Sequence, residues 1–147
     1  MKKTNESWTE RGQSLLEFSV SMVFVLVLLA GLVDLGRGLF AYMALRDGAQ
    51  EGAAYGSLNP TETDTIENRV FGSSSMLQNL EDPAESGSPI DIDVNISGAA
   101  CTGNSIEVVV TYTDFPLSMP FVGSFLGSQT IDIHASAENT ILSPKCP

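Results

Sequence analysis

The single histidine of the chain, His134, is the side chain best suited to acid–base chemistry at neutral pH. It lies between Asp132 and Ser136, which could supply the other members of a Ser/His/Asp arrangement. Residues 131–138 alternate between apolar and polar types, which predicts a β-strand with these three side chains on its polar face. Side chains at alternate positions of one strand point the same way without facing each other. We therefore expect no catalytic residue and no enzyme activity.

A second cluster of polar side chains, Asp91, Asp93 and Asn95, has the oxygen ligands that calcium prefers. Calcium needs about six or more oxygens, normally gathered by a loop, whereas these residues alternate along another predicted strand. A solvated strand face is the favoured interpretation. The sequence contains no phosphate-binding loop, dinucleotide fingerprint or His-Glu-x-x-His motif. We expect no metal and no cofactor.

The element that dominates the sequence is an apolar run over residues 15–33, in which Glu17 is the one charged residue. As a helix it would be about 28 Å long, close to the thickness of bilayer hydrocarbon. A cleaved secretory signal would be shorter and would end at a small-x-small site, and a buried soluble helix does not suit so long a run. A plain signal anchor remains open, but a carboxylate at membrane depth costs a few kcal/mol and should have a partner. If Glu17 has no partner, the alternative is that its side chain extends to the lipid headgroups.

Charge is distributed unevenly around this run. Of a net charge of −11, residues 13–147 account for −12, with four basic and sixteen acidic residues, so residues 1–12 are slightly positive. The positive-inside rule then places the acidic part outside the cytoplasm. Without a basic stripe to neutralise phosphates, the chain is not expected to bind nucleic acid.

The two cysteines, Cys101 and Cys146, both fall in the part of the chain expected outside the cytoplasm. Disulfides persist in oxidising compartments, and an even number of cysteines favours a bridge. We predict that they pair.

The helix is predicted to continue beyond the membrane, over residues 13–58, because helix formers dominate and Asn59-Pro60 ends it. Within its second half Ala44, Gly48, Gly52 and Gly56 recur every four residues. Such a stripe of small residues allows another backbone to approach closely. It would pack on the protein's own head, on a neighbouring subunit, or on both.

Residues 59–147 are predicted to form a small α+β head outside the membrane. Thr61-Glu62-Thr63-Asp64 has the pattern of a capping box that opens a second helix, and residues 81–89 read as a loop. Three amphipathic strands follow over residues 90–96, 106–113 and 131–138. One apolar face per strand is typical of an antiparallel sheet covered on one side, here by the long helix.

The connection between the second and third strands, residues 115–126, is conspicuously apolar. Its apolar members are Phe115, Leu117, Met119, Phe121, Val122, Phe125 and Leu126. They would contact a neighbour or the membrane surface, or fold back over the core.

The start of the apolar run supplies a motif. Gly12, four residues and then Glu17-Phe18 open the hydrophobic helix, and this resembles the processing site of type IVb prepilins, in particular of TadE-like and TadG-like proteins. Residues 45–57, LRDGAQEGAAYGS, are similar to the small-residue segment that follows the membrane helix in that family, and residues 106–141 are similar to its closing pair of strands.

The resemblance implies a fold and a function. Residues 1–12 would be a leader that a prepilin peptidase removes between Gly12 and Gln13, and Glu17 would pair with the α-amine of a neighbouring subunit during assembly. The protein would be a structural subunit of a Tad-type type IV pilus, first in the cytoplasmic membrane and then in an extracellular filament or at the cell surface. Its partners would be other pilin subunits, the peptidase, the inner-membrane platform and, before assembly, lipid. The large head favours a minor pilin or pseudopilin over the shaft subunit, with adhesion as an expected role. A stand-alone membrane-anchored binding module is the alternative.

Overall fold

The structure, a computed structural model, describes residues 7–80, 88–120 and 122–146, with only the backbone for residues 7–11 and for Phe125. Half of the predicted leader, most of the predicted 81–89 loop and Phe121 lie outside the described residues. The order of elements is one long helix, two short helices, and a sheet interrupted by a one-turn helix. Their bounds are α1 Ser7–Gly56, α2 Thr63–Gly72, α3 Ser75–Leu80, β1 Ile90–Ser97, β2 Ser105–Pro116, α4 Val122–Leu126 and β3 Thr130–Thr140.

Helix α1 is 50 residues long, which corresponds to about 75 Å. It contains a segment long and apolar enough to cross a membrane. It ends two residues earlier than predicted: the Ser57 hydroxyl donates to the carbonyl of Ala54, and the backbone N–H groups of Leu58 and Asn59 both donate to the carbonyl of Tyr55. These bonds satisfy carbonyls that the helix end leaves without intrahelical partners.

The sheet is antiparallel, with β2 between β1 and β3. The register aligns Ile92 with Val110 and Val110 with Ala135, so the apolar residues of the three strands share one face as predicted. That face packs on α1, whose buried residues recur at helical spacing. The buried core has three contributors. Helix α1 supplies Leu45, Ala49 and Ala53, and the two short helices supply Ile66, Val70 and Leu77. The sheet and its end supply Ile90, Ile106, Val108, Val110, Ala135 and Ile141. The predicted α+β fold, a long helix packed on a small antiparallel sheet, is confirmed.

Two local predictions are wrong. Glu62 precedes α2 but makes no side-chain capping bond. Its carboxylate instead accepts a hydrogen bond of 2.8 Å from the hydroxyl of Tyr55 on α1, so the expected capping box is not formed.

The second departure is a β-bulge near the end of β2. Tyr112 is opposite Ile133, but Phe115 is opposite Ile131, so β2 contains one extra residue. Asp114 absorbs the irregularity with a φ of 56°, and its N–H donates to the carboxylate of Asp132. The bulge shifts the alternation within β2, so Phe115 is buried on the core face instead of lying in a loop. Ile131, its partner on β3, is at the end of that face and is 38% exposed.

Candidate functional site

The predicted processing and pairing residues lie on consecutive turns of α1. Gly12, Gln13, Glu17 and Phe18 are all exposed in the structure. Gln13 and Glu17 are one turn apart on the same face of the helix, about 6 Å along its axis. Neither of the ion pairs formed by described residues involves Glu17. The geometry thus places a single carboxylate close to the position that would become an N-terminus after cleavage.

The helix around Glu17 is apolar apart from the polar side chains of Gln13, Ser14 and Ser21, which share its face, and of Ser19. From Leu15 to Val33 the large apolar side chains other than Val27 are at least half exposed, Phe24 the most at 71%. A soluble monomer rarely exposes a contiguous apolar surface of this extent. This half of α1 is long and apolar enough to cross a membrane.

The small-residue stripe of α1 packs on the protein's own head. A Cβ built on Gly48 would lie 2.9 Å from Leu77 Cδ1, and one on Gly56 would lie 2.6 Å from Ile106 Cδ1. Ala44, at the start of the stripe, is 7% exposed. The sequence left two packing partners open for this stripe, the head and a neighbouring subunit. The structure shows that the head is one of them.

Gly52 is the position where this packing is least able to adjust. A Cβ there would lie 2.7 Å from Val70 Cγ2, 3.3 Å from Val108 Cγ1 and 3.4 Å from Ile66 Cγ2. All three atoms belong to β-branched side chains, whose rotamers are stiff. We therefore expect Gly52→Ala to destabilise the head by about 1–2 kcal/mol, because overpacking costs about 1–3 kcal/mol and exceeds the helix propensity gained.

Gly38→Ala is the matched control, since it also lies within α1 and a Cβ there meets nothing within 4 Å. It should be neutral or slightly stabilising. Thermal unfolding of both variants in detergent tests the difference. Equal midpoints for the two variants would show that α1 can move away from the head at no cost.

The cysteines form the predicted disulfide, with their Cα atoms 5.0 Å apart. The bridge connects the β1–β2 turn to the C-terminal tail. Backbone hydrogen bonds reinforce the connection: Thr102 N donates to the carbonyl of Pro144, and Ile141 N donates to that of Asn104. Leu142 N in turn donates to the carbonyl of Ser57, so the end of the head farthest from the apolar half of α1 is tied to the end of the helix.

At the opposite end of the head the structure contains a cluster that the sequence did not predict. The carboxylate of Asp34, directly after the apolar run, is 7% exposed and accepts hydrogen bonds from the backbone N–H groups of Ser118, at 2.9 Å, and Met119, at 2.6 Å. Arg37, one turn further along α1, lies 3.6 Å from the Asp34 carboxylate and donates to the hydroxyl of Ser118 at 2.8 Å. We call these four residues the junction, because they attach the β2–β3 connection to α1.

The chemistry of the junction favours an ionised carboxylate. The hydrogen bond from Ser118 N lowers the pKa of Asp34, and the hydrogen bond from Met119 N and the charge of the Arg37 guanidinium lower it further. Burial raises the pKa, but these effects together outweigh it. Hydrogen bonds to a charged acceptor are about twice as strong as neutral ones. The guanidinium also lies over the ring of Phe115, 5.3 Å from its centroid. The junction therefore fixes the head at one level of the helix.

Gln129 completes the connection. Its side-chain amide donates to the carbonyls of Leu117 and Met119, and its side-chain oxygen accepts from the N–H of Gly123. Asp34 and Ser118 are 84 residues apart, so no local pattern links them. The available signal was an Asp–Arg pair, at i and i+3, placed directly after the membrane-length run.

The other polar candidates remain on the exposed face of the sheet. His134 and Ser136 point to solvent, while Asp132 is engaged by the bulge at Asp114. Asp91, Asp93 and Asn95 are exposed along β1. Within the described ranges no group of acidic, histidine or cysteine side chains is arranged to hold a metal ion.

Comparison with known proteins finds a similarity that lies in α1. The model of the TadE-like protein family matches residues 12–54, from the glycine before the apolar run to the last turn of the helix. No curated protein and no solved structure matches the chain. The match confirms the resemblance predicted from the sequence and associates the protein with Tad pili. The family is one of pilus components and is not known for enzymes. The similarity seen in residues 106–141 lies outside the matched range and stays a prediction.

Proposed function

We propose that the protein is a minor pilin or pseudopilin, a structural subunit of a Tad-type pilus that takes part in filament assembly and surface adhesion. It enters the membrane through α1, loses residues 1–12 by cleavage after Gly12, and passes from lipid into the filament. The observation that supports this most directly is Glu17. A carboxylate that is the one charge of a membrane-length apolar run is costly in a simple anchor.

Cleavage would provide the partner for this carboxylate. It creates a cationic α-amine at Gln13, within one turn of Glu17 along the helix axis. In a low-dielectric environment opposite charges attract strongly and an unpaired charge is penalised. Pairing between Glu17 of one subunit and the α-amine of its neighbour would therefore favour one register of insertion into the filament.

A second feature consistent with assembly is the free face of α1 beyond the membrane-length run. The head covers the side of the helix that contains Ala41, Leu45 and Ala49. On the other side Leu35, Leu39, Phe40 and Met43 are 51–67% exposed. These side chains extend the apolar surface past the membrane, where neighbouring subunits would cover them.

Processing is the first test of this proposal. The bond between Gly12 and Gln13 is expected to be cut, so intact-mass spectrometry of protein isolated from its native membrane and filaments should find a chain that begins at Gln13. Gly12→Val should keep the precursor mass, because the proposed peptidase requires a small residue before the cut. Ser14→Ala, two residues downstream, serves as the control and should be processed normally.

The same measurement separates the two candidate functions. A stand-alone membrane-anchored binding module would keep residues 1–12. Assembled material that retains Met1 or Lys2 would contradict the pilin proposal.

A further inference from the structure

The β2–β3 connection belongs to the longest uncharged stretch of the head, residues 115–131. The chain as a whole is 17% charged, so a stretch of this length without a charge is conspicuous. The connection proper, residues 117–129, follows the last pair of the β2–β3 ladder, Pro116 with Thr130. It therefore extends from one end of the sheet.

Its contacts show that this end of the sheet points towards the apolar half of α1. Phe115 lies beneath Arg37, and the next contacts are Ser118 with Asp34 and Met119 with Gly31, where Met119 Sδ lies 3.5 Å from a built Cβ. From residue 37 to residue 31 the connection thus descends about 9 Å along α1. The opposite end of the sheet, by contrast, is bonded to Ser57 through Leu142.

The level reached by the connection is that of the hydrocarbon edge. If residues 15–33 fill the bilayer, Gly31 lies about 3 Å inside its edge, and Asp34 with Arg37 marks where charge resumes. Seven residues after Met119 the same connection presents Leu126, at the end of α4, with its side chain 63% exposed. An exposed apolar side chain in an uncharged segment is suited to the boundary between headgroups and acyl chains.

We propose that the β2–β3 connection is a second membrane contact, which inserts Leu126 into the outer interface of the bilayer beside α1. The junction holds it there, so that the head is fixed in height and orientation before the subunit leaves the membrane. A lipid surface is the occupant, because the connection has no charge and lies at the level of the hydrocarbon edge. The inference depends on anchoring by α1 but not on filament assembly.

The test uses the full chain reconstituted in phosphatidylcholine/phosphatidylglycerol vesicles, in a Trp8→Phe background. Leu126→Trp introduces a fluorescent reporter into the connection. Leu142→Trp is the matched control, since Leu142 is equally exposed at 63% but lies near Ser57, about 35 Å further along α1. Tryptophan is well tolerated at membrane interfaces, and both sites are on the surface.

Phosphatidylcholine with a nitroxide near the headgroup end of its acyl chain should quench the Leu126→Trp emission at least about twofold more than that of Leu142→Trp, since only an interfacial ring lies within contact range. The Leu126→Trp emission should also be shifted to shorter wavelength. Equal quenching of the two variants would overturn the proposal. So would a short-wavelength emission that is not quenched and grows with the protein-to-lipid ratio, because a second copy would then cover the connection. Neither outcome bears on cleavage after Gly12 or on assembly, so the two proposals fail independently.

Discussion

Glu17→Ala should insert into the membrane and be processed, yet be nearly absent from filaments. The variant removes a costly charge from the apolar half of α1, so insertion should be at least as efficient as in the wild type. In the filament, however, it leaves the neighbour's α-amine without a partner in a low-dielectric environment. Loss of one member of a buried ion pair costs about 3–5 kcal/mol, which corresponds to a fall of about a hundredfold or more in the incorporation equilibrium. The measurement is the ratio of subunit in sheared filaments to subunit in the membrane.

Two further substitutions define the mechanism. Glu17→Gln keeps the size of the side chain and removes its charge, so it should fail like Glu17→Ala, whereas Glu17→Asp tests how far the carboxylate must extend. Ser19→Ala is the control on the same part of the helix, because the Ser19 hydroxyl bonds only the carbonyl of Leu15 within α1. If Glu17→Ala and Glu17→Gln both enter filaments at wild-type levels, the pairing mechanism is wrong.

Cys146→Ser should lower the melting temperature of the head by about 10 °C or more under oxidising conditions. The disulfide joins residues 45 apart in sequence, and closing a loop of this size restricts the unfolded chain by about 4 kcal/mol in the chain-entropy account. The hydrogen bonds of Thr102 and Ile141 remain in the variant, so part of the local structure should persist after the bridge is lost. Thermal unfolding of the full chain in detergent, followed by circular dichroism, gives the shift.

The controls separate the bridge from the tail that contains it. The double variant Cys101→Ser/Cys146→Ser should match Cys146→Ser, which excludes an effect of a free thiol. Lys145→Ser, an exposed neighbour in the same tail, should melt with the wild type. Adding reductant should lower the wild type to the level of the variants and leave the variants unchanged. A Cys146→Ser variant that melts with the wild type would show that the bridge does not contribute to stability.

The features that the sequence determined are those that follow from local pattern and composition. The apolar run over residues 15–33, the helix that continues past it and the Asn59-Pro60 stop each depend on residues within a few turns of one another. The same is true of the three amphipathic strands and of the motif from Gly12 to Phe18, which together indicated the fold and the TadE-like resemblance. Two cysteines, both in the acidic part of the chain expected outside the cytoplasm, were enough to predict the bridge.

Tertiary structure decided what required residues distant in sequence to meet. The glycine stripe was visible as a pattern, but its partner became known only when Gly52 was seen against Val70 and Val108. One extra residue at the β2 bulge placed Phe115 on the core face, because strand side chains alternate with a period of two.

The junction is the clearest example. Asp34 and Ser118 carry no mutual signal in the sequence, since the carboxylate on α1 accepts from backbone N–H groups that any residue type except proline would supply. Only the packing of the sheet along α1 brings them together. The same packing places the uncharged connection beside the end of the apolar run. Periodicity specifies which face of an element is buried, whereas the level at which two elements meet is set by their packing.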